Sequence, residues 1–269
     1  MELFYRKYGE PAPPMIILHG LYGSSDNWVS VAREFSSDYE VWLPDQRNHG
    51  ASPASPEHSY SLLSSDLKEF MDSHGIEKAI LIGHSMGGKA VMTFAARYPR
   101  MVSALVVIDI APKDYQELAL VSRQAAQHAR MIEAMLSVPM DRMSSREEID
   151  RFLTPLIGSD RVRMFLMKNV TRDTQGSFTW KINLPALKEN LRTIMDIPEE
   201  IKKLPSGGIT GFPVLFLAGG DSGYIMPEDH ALIRHYFPTA GIVSIPGAGH
   251  WLHAEQPALM IKNIRYFLE

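Results

Sequence analysis

Short apolar runs rich in branched side chains recur along the chain at 15–18, 40–43, 79–82, 102–108, 214–217 and 242–245, each bounded by turn residues. Runs of this length without polar alternation fit strands buried on both faces, as in a parallel sheet. Between them, apolar positions three and four residues apart predict helices over 60–73, 86–98, 227–236 and 257–268. Parallel neighbours need crossovers long enough to hold such helices. The pattern therefore predicts an α/β fold: a mostly parallel central sheet with helices on both faces.

One connection breaks the rhythm. The stretch 111–211 separates two strand candidates by far more chain than an ordinary link of a few residues. Leu118, Val121, Ala125, Ala129, Ile132 and Leu136 repeat at helical steps within it, and 146–153 and 185–195 read the same way. The expected organisation is a core of residues 1–111 and 212–269 with an inserted helical cap over 112–211. Seven methionines lie in the cap at 131, 135, 140, 143, 164, 167 and 195. Most are expected to fill core gaps, the alternative being an adaptable lining for acyl chains. Phe178, Trp180 and Ile182 share one face if their segment is extended. They are candidates for the roof of an acyl pocket, and equally for packing of cap on core.

Composition narrows the chemistry. The 269 residues are 45 % hydrophobic and 22 % charged, with a formal net charge of −4, so neither disorder nor attraction to nucleic acid is expected. The absence of cysteine removes disulfides, thiolate nucleophiles and Cys zinc sites. Charges are spread through residues 1–17, and no apolar run approaches membrane-spanning length. The expectation is a cytoplasmic protein without a membrane span.

Gly83-His84-Ser85-Met86-Gly87 follows a strand candidate and opens a helix candidate. A sharp strand-to-helix turn lifts a hydroxyl above the sheet edge, and small flanking residues avoid a clash, so Ser85 is the candidate nucleophile. The new helix also aims free N–H groups at the same spot, which suits an oxyanion. A rival reading takes Gly83, Gly88 and Lys89 as a phosphate loop, with Val106-Val107-Ile108-Asp109 near a Mg²⁺ ion. That loop requires Ser or Thr directly after the Lys, where Ala90 stands.

The candidate base is His250, in the glycine-flanked Gly247-Ala248-Gly249-His250-Trp251 after the last strand candidate. His253 is its competitor and is expected to pack the terminal helix. Two acids between Ser85 and His250, Asp109 and Asp221, follow strand candidates at the active edge. Asp109 is preferred because it ends the strand about 4.8 Å from that of the elbow and is positioned to hold the imidazole tautomer. Counting G-x-x-D from Gly219 lands on Ser222, which leaves Asp221 one place off. The Leu21 and Met86 amides are the candidate oxyanion donors, Leu21 from the loop His19-Gly20-Leu21-Tyr22-Gly23. His19 is expected to shape that loop, and the charges of 45–50 to brace theirs.

HGLYGS at 19–24, DQRNHG at 45–50, GHSMGGKAVM at 83–92, VVIDIAP at 106–112 and GAGHWLHAEQP at 247–257 together resemble the α/β-hydrolases, and within them the small YbfF-type bacterial esterases. The resemblance implies an α/β-hydrolase fold with Ser85, His250 and Asp109 as nucleophile, base and acid. It departs at 219–222, where that group usually has Asn before the Ser, so Asp221 keeps some claim. The expected activity is a serine carboxylesterase cleaving short- to medium-chain acyl esters, or acyl thioesters, through a Ser-linked acyl-enzyme without cofactor or metal. The same triad also serves C–C bond hydrolases, lyases and cofactor-free perhydrolases, and a nucleotide hydrolase is the remote alternative.

Overall fold

The computed structural model describes residues 1–116 and 122–269. Nine strands are described: β1 (Tyr5–Tyr8), β2 (Pro14–Leu18), β3 (Glu40–Pro44), β4 (Ala79–His84), β5 (Val102–Ile108), β6 (Val170–Arg172), β7 (Phe178–Trp180), β8 (Val214–Gly219) and β9 (Gly241–Ile245). The core helices are α1 (Val29–Phe35), α2 (Tyr60–Ser73), α3 (Met86–Arg97), α10 (Asp229–Tyr236), α11 (Leu252–Glu255) and α12 (Pro257–Leu268). Between β5 and β8 lie α4 (Ser122–Leu136), α5 (Arg146–Leu153), α6 (Asp160–Met167), α7 (Leu184–Glu189), α8 (Leu191–Met195) and α9 (Glu199–Lys202), together with the β6–β7 hairpin.

The central sheet has the order β1-β3-β2-β4-β5-β8-β9, parallel except for the antiparallel edge strand β1. Alternation along the strands separates two cores. Ile16, Leu81, Leu105, Val107 and Phe216 face a cluster that includes α2, α3 and the cap, whereas Met15, Ile17, Ile80, Ile82, Val106 and Leu217 face one with α1, α11 and α12. The expected sheet and inserted cap are thus present. The strand Tyr5–Tyr8 and helix α1 were outside the expectation, and the helix expected over 185–195 is two helices. Asn190 divides it, its amide N–H groups donating to Ala186 O and Pro56 O. Leu118 and Val121 of the cap periodicity lie outside the described residues. Among the described residues no helix is long and apolar enough to cross a membrane.

Candidate active site

Register brings the chemistry to one sheet edge. His84 on β4 pairs with Ile108 on β5, so Ser85 and Asp109 are the next residues of adjacent strands. The Ser85 N–H donates to Ile108 O at 2.9 Å, and the Asp109 N–H to Leu217 O at 2.8 Å. Both residues take left-handed φ, +53° for Ser85 and +49° for Asp109. Such conformations cost on the order of 1–3 kcal/mol each and are met at functional sites. The elbow closes tightly: a Cβ on Gly83 would lie 2.3 Å from Gly87 O, and one on Gly87 2.5 Å from Leu18 O. Glycine is required at both positions.

His250 follows β9, and its Nδ1–H donates to Asp109 Oδ2 at 2.8 Å. Asp109 is fully buried. Its Oδ1 accepts the Gly219 N–H at 2.9 Å, and its Oδ2 also accepts the Ser222 hydroxyl. These bonds fix both carboxylate oxygens, and the imidazole is held by a second contact, the Tyr224 ring stacked 3.9 Å from it. His84, the neighbour of the elbow serine, holds the backbone of the same residue, its Nε2–H donating to His250 O at 2.7 Å. Asp221 stands apart: its side chain is exposed, and its N–H donates to Ala248 O. Ser222, at the place reached by the G-x-x-D count, supports Asp109 instead.

Ser85 and His250 line one narrow cavity with Leu21, Tyr22, His128 and Met131. A second narrow cavity also reaches Ser85, lined by Met86, Lys89, Tyr115, Met195 and Tyr224 among others. Among the described residues neither the Leu21 N–H nor the Met86 N–H has a protein acceptor. Met86 is the first residue of α3, where no intrahelical carbonyl is available. The geometry around Ser85 therefore offers a hydroxyl, two free amides and an oriented imidazole in one enclosure, the parts that acyl transfer needs.

The loops around the enclosure are braced by their polar side chains. His19 donates from Nδ1 to Gly20 O at 2.9 Å and accepts the Gln46 N–H on Nε2 at 3.0 Å. Burial lowers its pKa, which keeps the ring neutral as this pairing requires. Arg47 forms a two-pronged pair with Asp66, and Asp45 accepts the Ser25 and Ala51 N–H groups. Asn169 of the cap donates to Tyr22 O at 2.8 Å, tying the cap to the Leu21 loop. His253 stacks 4.5 Å from Trp28, and burial pushes it down to about 3.

Lys89 does not face a phosphate-binding loop. Its ammonium donates to Met195 O at 3.0 Å and Asp196 O at 2.6 Å, at the end of α8, and lies 4.8 Å from the Tyr115 ring. Burial lowers it to about 7. The segment 83–89 is a strand, a tight serine turn and a helix start, and the nucleotide-hydrolase alternative is set aside.

Phe178, Trp180 and Ile182 are not among the residues lining the two cavities at Ser85. They belong to the apolar cluster shared by sheet and cap, Trp180 donating its indole N–H to Met135 O at 3.1 Å. The strand ends at Trp180, so Ile182 lies beyond the extended stretch. Of the seven cap methionines, Met131 and Met195 line the cavities, whereas Met135 and Met167 are core and Met164 is 70 % exposed. An open groove between α6 and α12 adjoins the first cavity, sharing Phe165 and Trp251 with it.

Tyr224, Ser222 and His128 are functional-site neighbours that sequence reasoning missed. Only Ser222 had a signal, the G-x-x-D offset that reached it.

The chain is similar to known proteins over nearly its full length. Residues 13–138 match a family described as alpha/beta hydrolase fold. Esterase YbfF of Escherichia coli is 33 % identical over 255 residues, covering 95 % of this chain and 92 % of the relative. The sn-1-specific diacylglycerol lipase ABHD11 of Mus musculus is 36 % identical over 258 residues, covering 95 % and 81 %. A solved structure described as a marine microorganism esterase superposes with a TM-score of 0.89 at 44 % identity, covering 99 % of both chains. The chain belongs to the alpha/beta-hydrolase family and is similar to its bacterial esterases.

Proposed function

We propose that the protein is a serine carboxylesterase that cleaves small acyl esters or acyl thioesters through an acyl-enzyme on Ser85. The observation that carries this reading is the pair of buried Asp109 with half-buried His250, bonded at 2.8 Å, in the same enclosure as a serine on a strained elbow. In the reaction, His250 Nε2 takes the Ser85 proton as Oγ attacks the acyl carbon. The Leu21 and Met86 N–H groups receive the oxyanion, and the same imidazole returns the proton to the leaving alkoxide or thiolate. A water, deprotonated by His250, then attacks the acyl-enzyme, and collapse of the second oxyanion releases the acid and restores the serine.

Asp109 holds the Nδ1–H tautomer that leaves Nε2 free to accept. Residues 1–111 and 212–269 form the catalytic core of this reading, with 112–211 as the cap that roofs the serine. The groove that shares Phe165 and Trp251 with the catalytic cavity supports entry of the ester from that side. A cytoplasmic compartment belongs to the same reading, and fractionation of cells making the protein tests it. Hydrolysis of a panel of p-nitrophenyl esters, acyl thioesters and dienoates tests the activity. Turnover of the esters or thioesters that disappears in Ser85→Ala is the expected result; near-full turnover in Ser85→Ala, or cleavage of the dienoates alone, contradicts it.

A further inference from the structure

A polar side chain of the cap lies at the reaction centre. His128, on the cap helix α4, lines both cavities that meet at Ser85. Its Nε2 lies 3.0 Å from the Tyr224 hydroxyl and its Nδ1 3.3 Å from the Tyr22 hydroxyl. The Tyr22 O–H donates to His128 O at 3.3 Å. That assignment uses the only proton of Tyr22, so the Tyr22 oxygen accepts from Nδ1–H, and Nε2 is left to accept the Tyr224 O–H. Burial, with His250 nearby, pushes His128 down to about 3, so the ring is neutral as this pattern demands.

Both tyrosines touch the machinery directly. The Tyr224 ring is stacked on His250 at 3.9 Å and 18°, and its carbonyl is held by the Tyr115 hydroxyl at 2.6 Å. Tyr22 follows Leu21, takes φ +64°, and is also held from the cap by Asn169. A single imidazole from the cap thus spans the face of the base and the loop carrying one oxyanion donor. Rigid support of such groups is where catalytic geometry is gained or lost, since small misplacement carries large rate costs.

We propose that His128 is a positioning residue of the cap, fixing the Tyr224 ring against His250 and the Tyr22 segment beside the Leu21 amide. The proposal rests on the reading of Ser85 and His250 given above. It assigns to cap docking a part in assembling the catalytic geometry, beyond covering the substrate.

The test is a double-mutant cycle read with p-nitrophenyl acetate, an ester with a short acyl group. His128→Ala and Tyr224→Phe are each expected to lower kcat about three- to tenfold, the range of one lost hydrogen bond, with KM nearly unchanged. The double variant should be little worse than His128→Ala alone, because both remove the same link. His128→Gln, which keeps an acceptor near the Nε2 position, should recover most of kcat. Tyr224→Phe deletes one oxygen, so it keeps the cycle informative if His128→Ala folds poorly. Wild-type kcat in Tyr224→Phe, losses that multiply in the double variant, or a loss confined to KM overturns the proposal. Ser85→Ala run alongside separates the two readings. If it is inactive while the His128 and Tyr224 variants are unaffected, only the positioning role falls; if it retains turnover, the serine reading falls too.

Discussion

At the scale of single residues the account turns on Asp109 and what surrounds it. Its two oxygens take three donors, from Gly219, Ser222 and His250, while Asp221 points to solvent. Asp109→Asn is therefore expected to depress kcat by roughly 10³–10⁴, because the amide can present an N–H to Nδ1 and favour the wrong tautomer. Ser222→Ala should cost about tenfold or less, the loss of one supporting bond, and Asp221→Asn should leave p-nitrophenyl ester turnover near wild type. The reverse ranking of the two aspartates in steady-state kinetics would move the acid role. Ser85, Asp109 and His250 could be read from the chain because each sits in a local pattern, a glycine-framed elbow, a strand end and a glycine loop. Tyr224 and His128 could not: each becomes part of the site through a tertiary contact, one by stacking and the other by reaching across from the cap.

At the scale of elements, the strand-elbow-helix unit is built with almost no spare volume. Gly87→Ala would press a methyl against the carbonyls of Leu18 and His19 at 2.5 and 2.6 Å, and backbone there cannot turn aside. Activity should fall more than tenfold as the Leu21 loop is displaced, with a melting temperature several degrees lower, for an overpacking cost of about 1–3 kcal/mol. An unchanged melting temperature and rate would contradict the tight-turn reading. Two residues further along α3, Lys89→Ala removes the ammonium donor from the Met195 and Asp196 carbonyls, leaving Met195 O only the Tyr115 N–H, and should cost about 2–4 kcal/mol, with faster proteolysis within the cap. Cleavage unchanged at every cap site would contradict that tie. The inner strands were legible because burial on both faces leaves them continuously apolar. The edge strand Tyr5–Tyr8 was not, since Tyr-Arg-Lys-Tyr is exposed or half-buried throughout and is held by its pairing with β3.

At the scale of the whole molecule, buried neutral imidazoles link stability to pH. Burial lowers His58, His128 and His253 from 6.5 to about 3 in the folded protein. As pH falls below 6.5 the unfolded chain binds protons first, so stability present above that value is lost progressively toward pH 3. Each ring contributes on the order of 1.4 kcal/mol per pH unit in that window. The urea midpoint should therefore be clearly lower at pH 5 than at pH 7, and an equal or higher midpoint at pH 5 would contradict the buried neutral assignment. The layered sheet and the existence of a cap were readable from periodicity and connection length, whereas the way the cap docks depends on side chains such as Asn169 and His128 that carry no periodic signal. The most direct measurement of the central claim is intact-protein and peptide mass spectrometry after reaction with a fluorophosphonate. The account predicts one adduct, on Ser85, absent from Ser85→Ala and slowed in His250→Ala; an adduct on another residue, or undiminished labelling of Ser85→Ala, would contradict it.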